Sequence, residues 1–332
     1  MATRNRVARG GVRRFLVVLA VAFSATGLSA WGWTSFSDVA ALGGFTRPRT
    51  FGNRIELRGP YSAVLFEVGT RRVDFNGTVV FLNAVPQKLR SEWMLTSADA
   101  ANVIQALAAP DCPLSAVDYW TVVLDPGHGG SDPGARYGRS VDEKRLTLDM
   151  AKRVRTKLKD MGVRTEITRD RDRTMSLDER CARAQSLGAD VFVSIHFNST
   201  TDPRTGGVET YVVPSVGYPS TGQATAGRID DTAYPCNRYD AANMYLAYCL
   251  QRGLVAYGRA EDRGIKRARF HVIKYAACPA ALVECGFLSN RREAEHILQD
   301  DYRDQLAEGI TRGILTYLWR VREAHYARYS PP

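Results

Sequence analysis

From about residue 120 onward, short continuous apolar runs alternate with stretches in which apolar residues fall at wider, helix-like spacing. The runs Thr121–Leu124, Val163–Thr168, Val191–Ile195, Val208–Val213, His271–Lys274 and Ala280–Glu284 predict strands. The third is almost wholly apolar, as a strand covered on both faces requires. Between them, Leu146, Met150, Val154 and Leu158 lie at near-helical spacing over Glu143–Lys159. Ser176-Leu177-Asp178-Glu179 has the form of a capping box, opening a helix that ends near Gly188. Helices are also predicted at Asn243–Tyr257 and Tyr302–Val321. Strands alternating with helices imply an α/β fold: a three-layer domain over 119–321 with a mostly parallel sheet flanked by helices, then a tail at 322–332.

The amino-terminal third has a different rhythm. Ala63–Val68 and Thr78–Leu82 read as strands with Asn76-Gly77 as a turn signal between strand-like runs, and Asp99–Leu107 as a short helix. This predicts a small β-rich module over 54–110, bounded by Pro110 and Pro113 and preceded by a linker at 31–53. A chain of 332 residues suits one large domain plus a small one.

The first thirty residues change the picture. Arg4, Arg6, Arg9, Arg13 and Arg14 precede an apolar run from Phe15 to about Phe23, then small residues through Ser29-Ala30. That is the order of a secretory signal, and the apolar run is short for a spanning helix. Cleavage near Ala30 and an uncleaved membrane anchor are the two alternatives. Either exports the rest of the chain to the periplasm or cell envelope of a bacterium, with membrane contact only through this segment if uncleaved. Export permits disulfides among the six cysteines, and some bridging is expected, Cys236 in its long loop included. No C-x-x-C pair suggests a cysteine zinc site. The net charge of +10 comes with no nucleic-acid motif, so no nucleic-acid partner is expected. A solvated basic surface or contact with acidic envelope polymers accounts for it.

Candidate chemistry gathers at strand ends. His128 follows the first strand on a turn made by Pro126, Gly127, Gly129 and Gly130. His196 directly follows the apolar third strand, on the edge where ligands bind in parallel α/β sheets. Glu143 opens the helix after the first strand, where the helix dipole alone would favour it. Two imidazoles and one carboxylate form the His2Glu set of a catalytic zinc (Zn2+), with a fourth position left for water. Glu284 ends the run Ala280–Val283, and a carboxylate there needs a partner or a task. A salt bridge to an arginine is one reading; a general base beside metal-bound water is the other.

Residues 120 to 318 resemble the zinc-dependent N-acetylmuramoyl-L-alanine amidases of the amidase-3 type. The matching segments are Asp125–Gly130 with Asp132–Ala135, Glu143-Lys144, Thr168–Asp170, Ser194–Asn198, Gly207–Tyr211, Arg263–Lys266 and Val283–Asn290. The resemblance implies that His128, Glu143 and His196 bind zinc and that Glu284 is the catalytic carboxylate. It implies peptidoglycan as substrate, cut between the lactyl group of N-acetylmuramic acid and L-alanine, and a divisome or wall-associated activator as a possible partner. Another zinc peptidase or amidase of similar fold, acting on small peptides, and a wall-binding or scaffolding protein without turnover are the competing readings. The amino-terminal module weakly resembles the copper amine oxidase type of amino-terminal domain. Asp125, Asn198 and Glu209 are candidates for orienting ligands, with turn or strand duty as the plainer role. The basic stretch Arg263–Arg269 either meets stem-peptide carboxylates or is a solvated loop. His271, His296 and His325 are given no role. The long loop 214–239 lacks the amphipathic period of the helical plug found in some relatives, so groove-shaping or packing is expected of it.

Overall fold

A computed structural model describes residues 32–108 and 120–329, with side chains through residue 323 except that of residue 229. The expected leader at 1–30, the Pro110 and Pro113 boundary and Cys112 lie outside them. The amino-terminal part comprises β1 (Trp33–Ser35), α1 (Phe36–Leu42), β2 (Arg49–Phe51), β3 (Arg54–Arg58), β4 (Ala63–Glu67), β5 (Arg72–Phe75), β6 (Thr78–Phe81), β7 (Gln87–Leu89) and β8 (Glu92–Thr96). A helical stretch then runs through Ala108, with Ala100–Gln105 wound as a π-helix. Asn76 and Gly77 both take positive φ, 51° and 80°, which lets the β5–β6 hairpin turn with the twist of its strands.

The segment expected to be a linker is folded instead. Phe36 and Val39 of α1 are buried, and Ser35 caps that helix by accepting from the Asp38 N–H at 3.0 Å. Elements of three to seven residues carry too few apolar positions for periodicity to register.

The carboxy-terminal part contains β9 (Thr121–Pro126), β10 (Arg136–Tyr137), β11 (Val141–Asp142), α2 (Glu143–Asp160), β12 (Arg164–Ile167), α3 (Leu177–Ser186), β13 (Val191–Asn198) and β14 (Val208–Val212). There follow α4 (Asp240–Gly258), β15 (Asp262–Arg267), α5 (His271–Lys274), β16 (Ala280–Phe287), α6 (Arg291–Ile297) and α7 (Asp300–Tyr329). One sheet joins both parts in the order β12-β9-β13-β16-β14-β15-β6-β5-β4-β3-β2. The strands from β12 to β16 are parallel, β14 runs against β16, and β6 to β2 form an antiparallel meander. Ile265 of β15 pairs with Val80 of β6 at the junction.

Side-chain alternation then sorts the core. One face takes Val122, Leu124, Val193 and Val283 together with the apolar stripes of α2, α4 and α7 and with the module's own core. The other takes Val123, Phe192, Ala280 and Leu282 against α3, α5 and the 214–239 loop. Helices α4 and α7 cross at very close range. A Cβ on Gly309 would lie 2.6 Å from the Gly253 carbonyl oxygen, and one on Gly253 only 2.1 Å from that of Gly309.

Three expectations need correction. His271–Lys274 is one helical turn, closed by the Lys274 N–H donating to the Phe270 carbonyl at 3.0 Å; four apolar-leaning residues do not separate strand from helix by pattern. The neighbouring strand β15 was hidden because Asp262, Arg263, Lys266 and Arg267 look like a solvated stretch. The five described cysteines, 181, 236, 249, 278 and 285, are all free, and Cys236 is buried among apolar side chains rather than bridged. Finally, α7 continues to Tyr329, past its expected end at Val321, for no glycine or proline lies between Arg322 and Tyr329.

Candidate metal centre

The site grows from the turn after β9. His128 has a φ of +60°, in the left-handed region that a side-chain-bearing residue rarely occupies. Paired backbone bonds between Gly129 and Asp132, at 2.9 and 3.1 Å, hold the turn. Two buried arginines secure its carbonyls from behind. Arg169 donates to the carbonyls of Pro126 (3.0 Å) and Gly127 (2.7 Å), and Arg180 to those of Pro126 (2.7 Å) and His128. Asp125 is fully buried and pairs with Arg180 at 2.8 Å, while Thr168 and Ser194 donate to it at 2.6 and 2.9 Å. It braces the turn from below.

Three side chains meet above that turn. Glu143, in the first turn of α2, places Oε1 3.1 Å from His128 Nε2 and 3.0 Å from His196 Nδ1. The Phe197 N–H donates to the same oxygen at 3.0 Å, and the Ala135 N–H donates to Oε2 at 2.8 Å. One nitrogen of each histidine and one oxygen of Glu143 lie within 4.8 Å of one another, the only such cluster among the described residues. The imidazole rings stand edge to face, 4.9 Å apart. Burial would push the Glu143 carboxyl up, but the hydrogen bonds and charges of His128 and His196 hold it well below the usual range. Burial would lower the His128 imidazole; Glu143 and Asp132 outweigh it and raise it.

Glycines make the space. A Cβ at Gly127 would sit 2.1 Å from the His196 ring, and one at Gly134 would meet Glu143 Oε2 at 2.5 Å and His128 Cδ2 at 2.7 Å. The donors suit a borderline-soft divalent ion such as zinc: two imidazole nitrogens and a carboxylate oxygen, the number a catalytic site uses. Asp132 supplies what metal-binding histidines usually have. Its Oδ2 lies 2.8 Å from His128 Nδ1 and its Oδ1 accepts from the Gly134 N–H at 3.0 Å, which leaves Nε2 facing inward.

Glu284 does not end its strand; it lies within β16, which runs on to Phe287. It is paired in register with His196 of β13 on one side and Glu209 of β14 on the other. His196, Glu284 and Glu209 thus form a row across three strands on one face of the sheet. Glu284 is partly exposed, yet its Oε2 is sealed from solvent and has no hydrogen-bond partner. Burial, reinforced by the charges of Glu143 and Glu209, raises its carboxyl well above the ordinary range. Glu209 is compensated differently: Arg263 at 2.6 Å, Lys266 and the Tyr211 hydroxyl all donate to it.

The four candidate residues therefore converge at one end of the sheet, where β9, β13 and β16 deliver them and α2 closes over. Asn198 and Glu209 lie beside them, with Asn198 Nδ2 3.4 Å from Glu209 Oε2. The basic stretch is neither a solvated loop nor free for ligand carboxylates. Arg263 and Lys266 are held by Glu209, Arg267 is buried, and Arg269 pairs with Asp230 at 2.5 Å. Sequence reading missed Asp132, Arg169 and Arg180 as parts of the site. Asp132, four residues beyond His128 on the same turn, and Arg169, within the matching stretch Thr168–Asp170, carried a usable signal; Arg180 carried none.

Residues 122–316, more than half of the chain, match the sequence model of the family described as N-acetylmuramoyl-L-alanine amidase (Amidase_3), and the chain belongs to that family. LytC of Bacillus subtilis, an N-acetylmuramoyl-L-alanine amidase, is 38% identical over 198 residues. That alignment covers 59% of this chain and 35% of LytC, so the chain spans about a third of that relative's length. Among solved structures, the catalytic domain of CwlV from Bacillus (Paenibacillus) polymyxa superposes with a TM-score of 0.51 at 33% identity, covering 60% of this chain and 98% of that one. An N-acetylmuramoyl-L-alanine amidase from Clostridium difficile 630 gives 0.51 at 35% identity, covering 61% and 98%. The fold likeness thus lies in the α/β domain.

Proposed function

We propose that the protein is a zinc-dependent N-acetylmuramoyl-L-alanine amidase that cleaves the amide between the lactyl group of N-acetylmuramic acid and the L-alanine of peptidoglycan. The observation that carries this reading is the row His196–Glu284: a partnerless carboxylate oxygen in register with a histidine whose neighbours are a second histidine and Glu143. His128, Glu143 and His196 would hold the metal. When bound, zinc would supply Lewis-acid polarisation of the amide carbonyl and a water of lowered pKa.

The residues of the chain do the rest. Asp132 fixes the His128 ring, and the Phe197 and Ala135 N–H groups fix the Glu143 carboxylate, so the donors are ordered before any ion arrives. Glu284 holds its place by pairing on both sides and is the one carboxylate here with an oxygen not already committed. It would accept a proton from the attacking water and return it to the departing alanine nitrogen. Export is proposed from the basic, apolar and small-residue order of residues 1–30.

Digestion of purified sacculi tests the reaction. New amino-terminal L-alanine is expected, blocked by a chelator and restored by zinc; new reducing ends without amino-terminal alanine would overturn it. Glu284→Gln is expected to lower turnover about 10²- to 10⁴-fold, the range of general acid–base catalysis, while one zinc per chain is retained. Unchanged turnover in that variant would remove Glu284 from the mechanism.

A further inference from the structure

The row His196–Glu284–Glu209 lies on one face of the sheet, and beside it stands an aromatic pair that the chemistry above leaves unused. Tyr211, two residues beyond Glu209 on β14, faces the same side of the sheet. Its hydroxyl donates to Glu209 Oε2 at 2.5 Å, so the ring cannot rotate freely. Burial and the nearby Glu209 and Glu284 carboxylates push the phenol up, and it remains a donor. Phe270, at the start of α5, meets that ring edge to face, with centroids 5.1 Å apart and planes inclined by 73°. Phe270 is nonetheless 38% exposed, at a position that apolar burial would otherwise close. The next residue, His271, lies 2.6 Å through Nε2 from Asp178 Oδ1 in the first turn of α3. The segment carrying Phe270 is thereby fastened to the helix whose Arg180 holds the His128 turn.

We infer that Tyr211 and Phe270 form a stacking platform for a pyranose ring of the glycan strand, which makes them determinants of substrate positioning beside Glu284. This rests on the amidase reading above. A phenyl ring offers only carbon and a π face, and the complementary surface is the flat C–H face of a sugar ring. The stem peptide, made of amides, carboxylates and open-chain aliphatic or amine-bearing side chains, offers no ring face. The cations that could take its carboxylates on this side, Arg263 and Lys266, are already engaged by Glu209.

The test is calorimetric titration of the full chain with peptide-free glycan strands and, separately, with free stem tetrapeptide. Wild type, Phe270→Ala and Phe270→Trp are compared. Glycan affinity is expected to fall about tenfold in Phe270→Ala and to recover in Phe270→Trp, with tetrapeptide affinity equal in all three. An unchanged thermal midpoint in Phe270→Ala separates lost stacking from lost fold. The platform is overturned if wild type binds no glycan, if Phe270→Ala binds it as well as wild type does, or if glycan and tetrapeptide affinities fall together. If glycan binding follows the ring as expected but sacculi yield no amino-terminal alanine, the amidase reading fails and the platform stands.

Discussion

Asp132 decides which nitrogen of His128 faces the cluster. With Oδ2 at 2.8 Å from Nδ1, it keeps Nε2 toward Glu143. Asp132→Asn is therefore expected to weaken zinc binding about 10- to 100-fold, read by competition with a chromophoric chelator. Equal affinity would show that the turn alone orients the ring. Proton linkage gives a second expectation for the metal-free protein. His128 is raised above its ordinary 6.5, so its contribution to stability is complete below that pH and is lost as pH rises through the higher folded value. Glu143 is held low, so its contribution is present above 4.5 and is lost as pH falls through its depressed value. The urea midpoint in chelator should therefore fall on raising pH through and above neutrality; with zinc the trend should reverse, because the ion competes with protons for the same imidazoles. A flat profile in chelator would contradict the assigned contacts. The histidines and Glu284 were legible because apolar runs point at them. The buried Arg180 was not: nothing in its surroundings in the sequence distinguishes an arginine that fastens carbonyls from one in solvent.

At the scale of elements, helix crossing depends on what is missing from side chains. In an exposed helix, glycine to alanine gains up to about 1 kcal/mol. At Gly309 the added methyl meets backbone, the Gly253 carbonyl oxygen at 2.6 Å, which cannot turn aside. Gly309→Ala is expected to destabilise the protein by about 1–3 kcal/mol in urea unfolding, the usual cost of overpacking. A stabilised variant would mean that α4 and α7 can slide apart. Periodicity found α2, α4 and α7 because each buries a long apolar stripe. It missed β15, whose charged residues are satisfied by partners on other elements: Gln251 of α4 donates to Asp262 at 2.7 Å, and Glu209 of β14 accepts from Lys266. Charge pattern shows solvation only when the partner is also in view.

For the whole molecule, the amino-terminal module is built into the sheet. Asp99 is fully buried and accepts from the Asn83 N–H (2.7 Å), the Asn83 side chain (2.9 Å) and Thr96 (2.8 Å). Ser215 of the 214–239 loop receives a bond from Asn102 at 3.4 Å and donates to Asp240 at 2.7 Å. Arg71 donates to the carbonyls of Ser220 and Pro219, at 3.1 and 3.2 Å. The loop that resembled no plug is thus a strap joining module to site-bearing domain. Arg267, buried beneath it, reaches the Phe81 carbonyl at 3.2 Å. Residues 120–329 expressed alone should aggregate or melt well below the longer chain, because β15 becomes an open edge and Arg267 loses that acceptor. An equal midpoint by calorimetry would show that the module is dispensable for folding.

The junction also bears on the order of assembly. The Val79 N–H donates to Asp262 across 183 residues of chain, at 3.0 Å, beside the Val80–Ile265 pair. The meander can form early from contacts close in sequence. Its outer strand must then wait, unpaired on one side, until β15 has been made and β14 has brought it into place. For that interval a nascent chain carries a sticky border, which a chaperone would have to guard or a second nascent copy could capture.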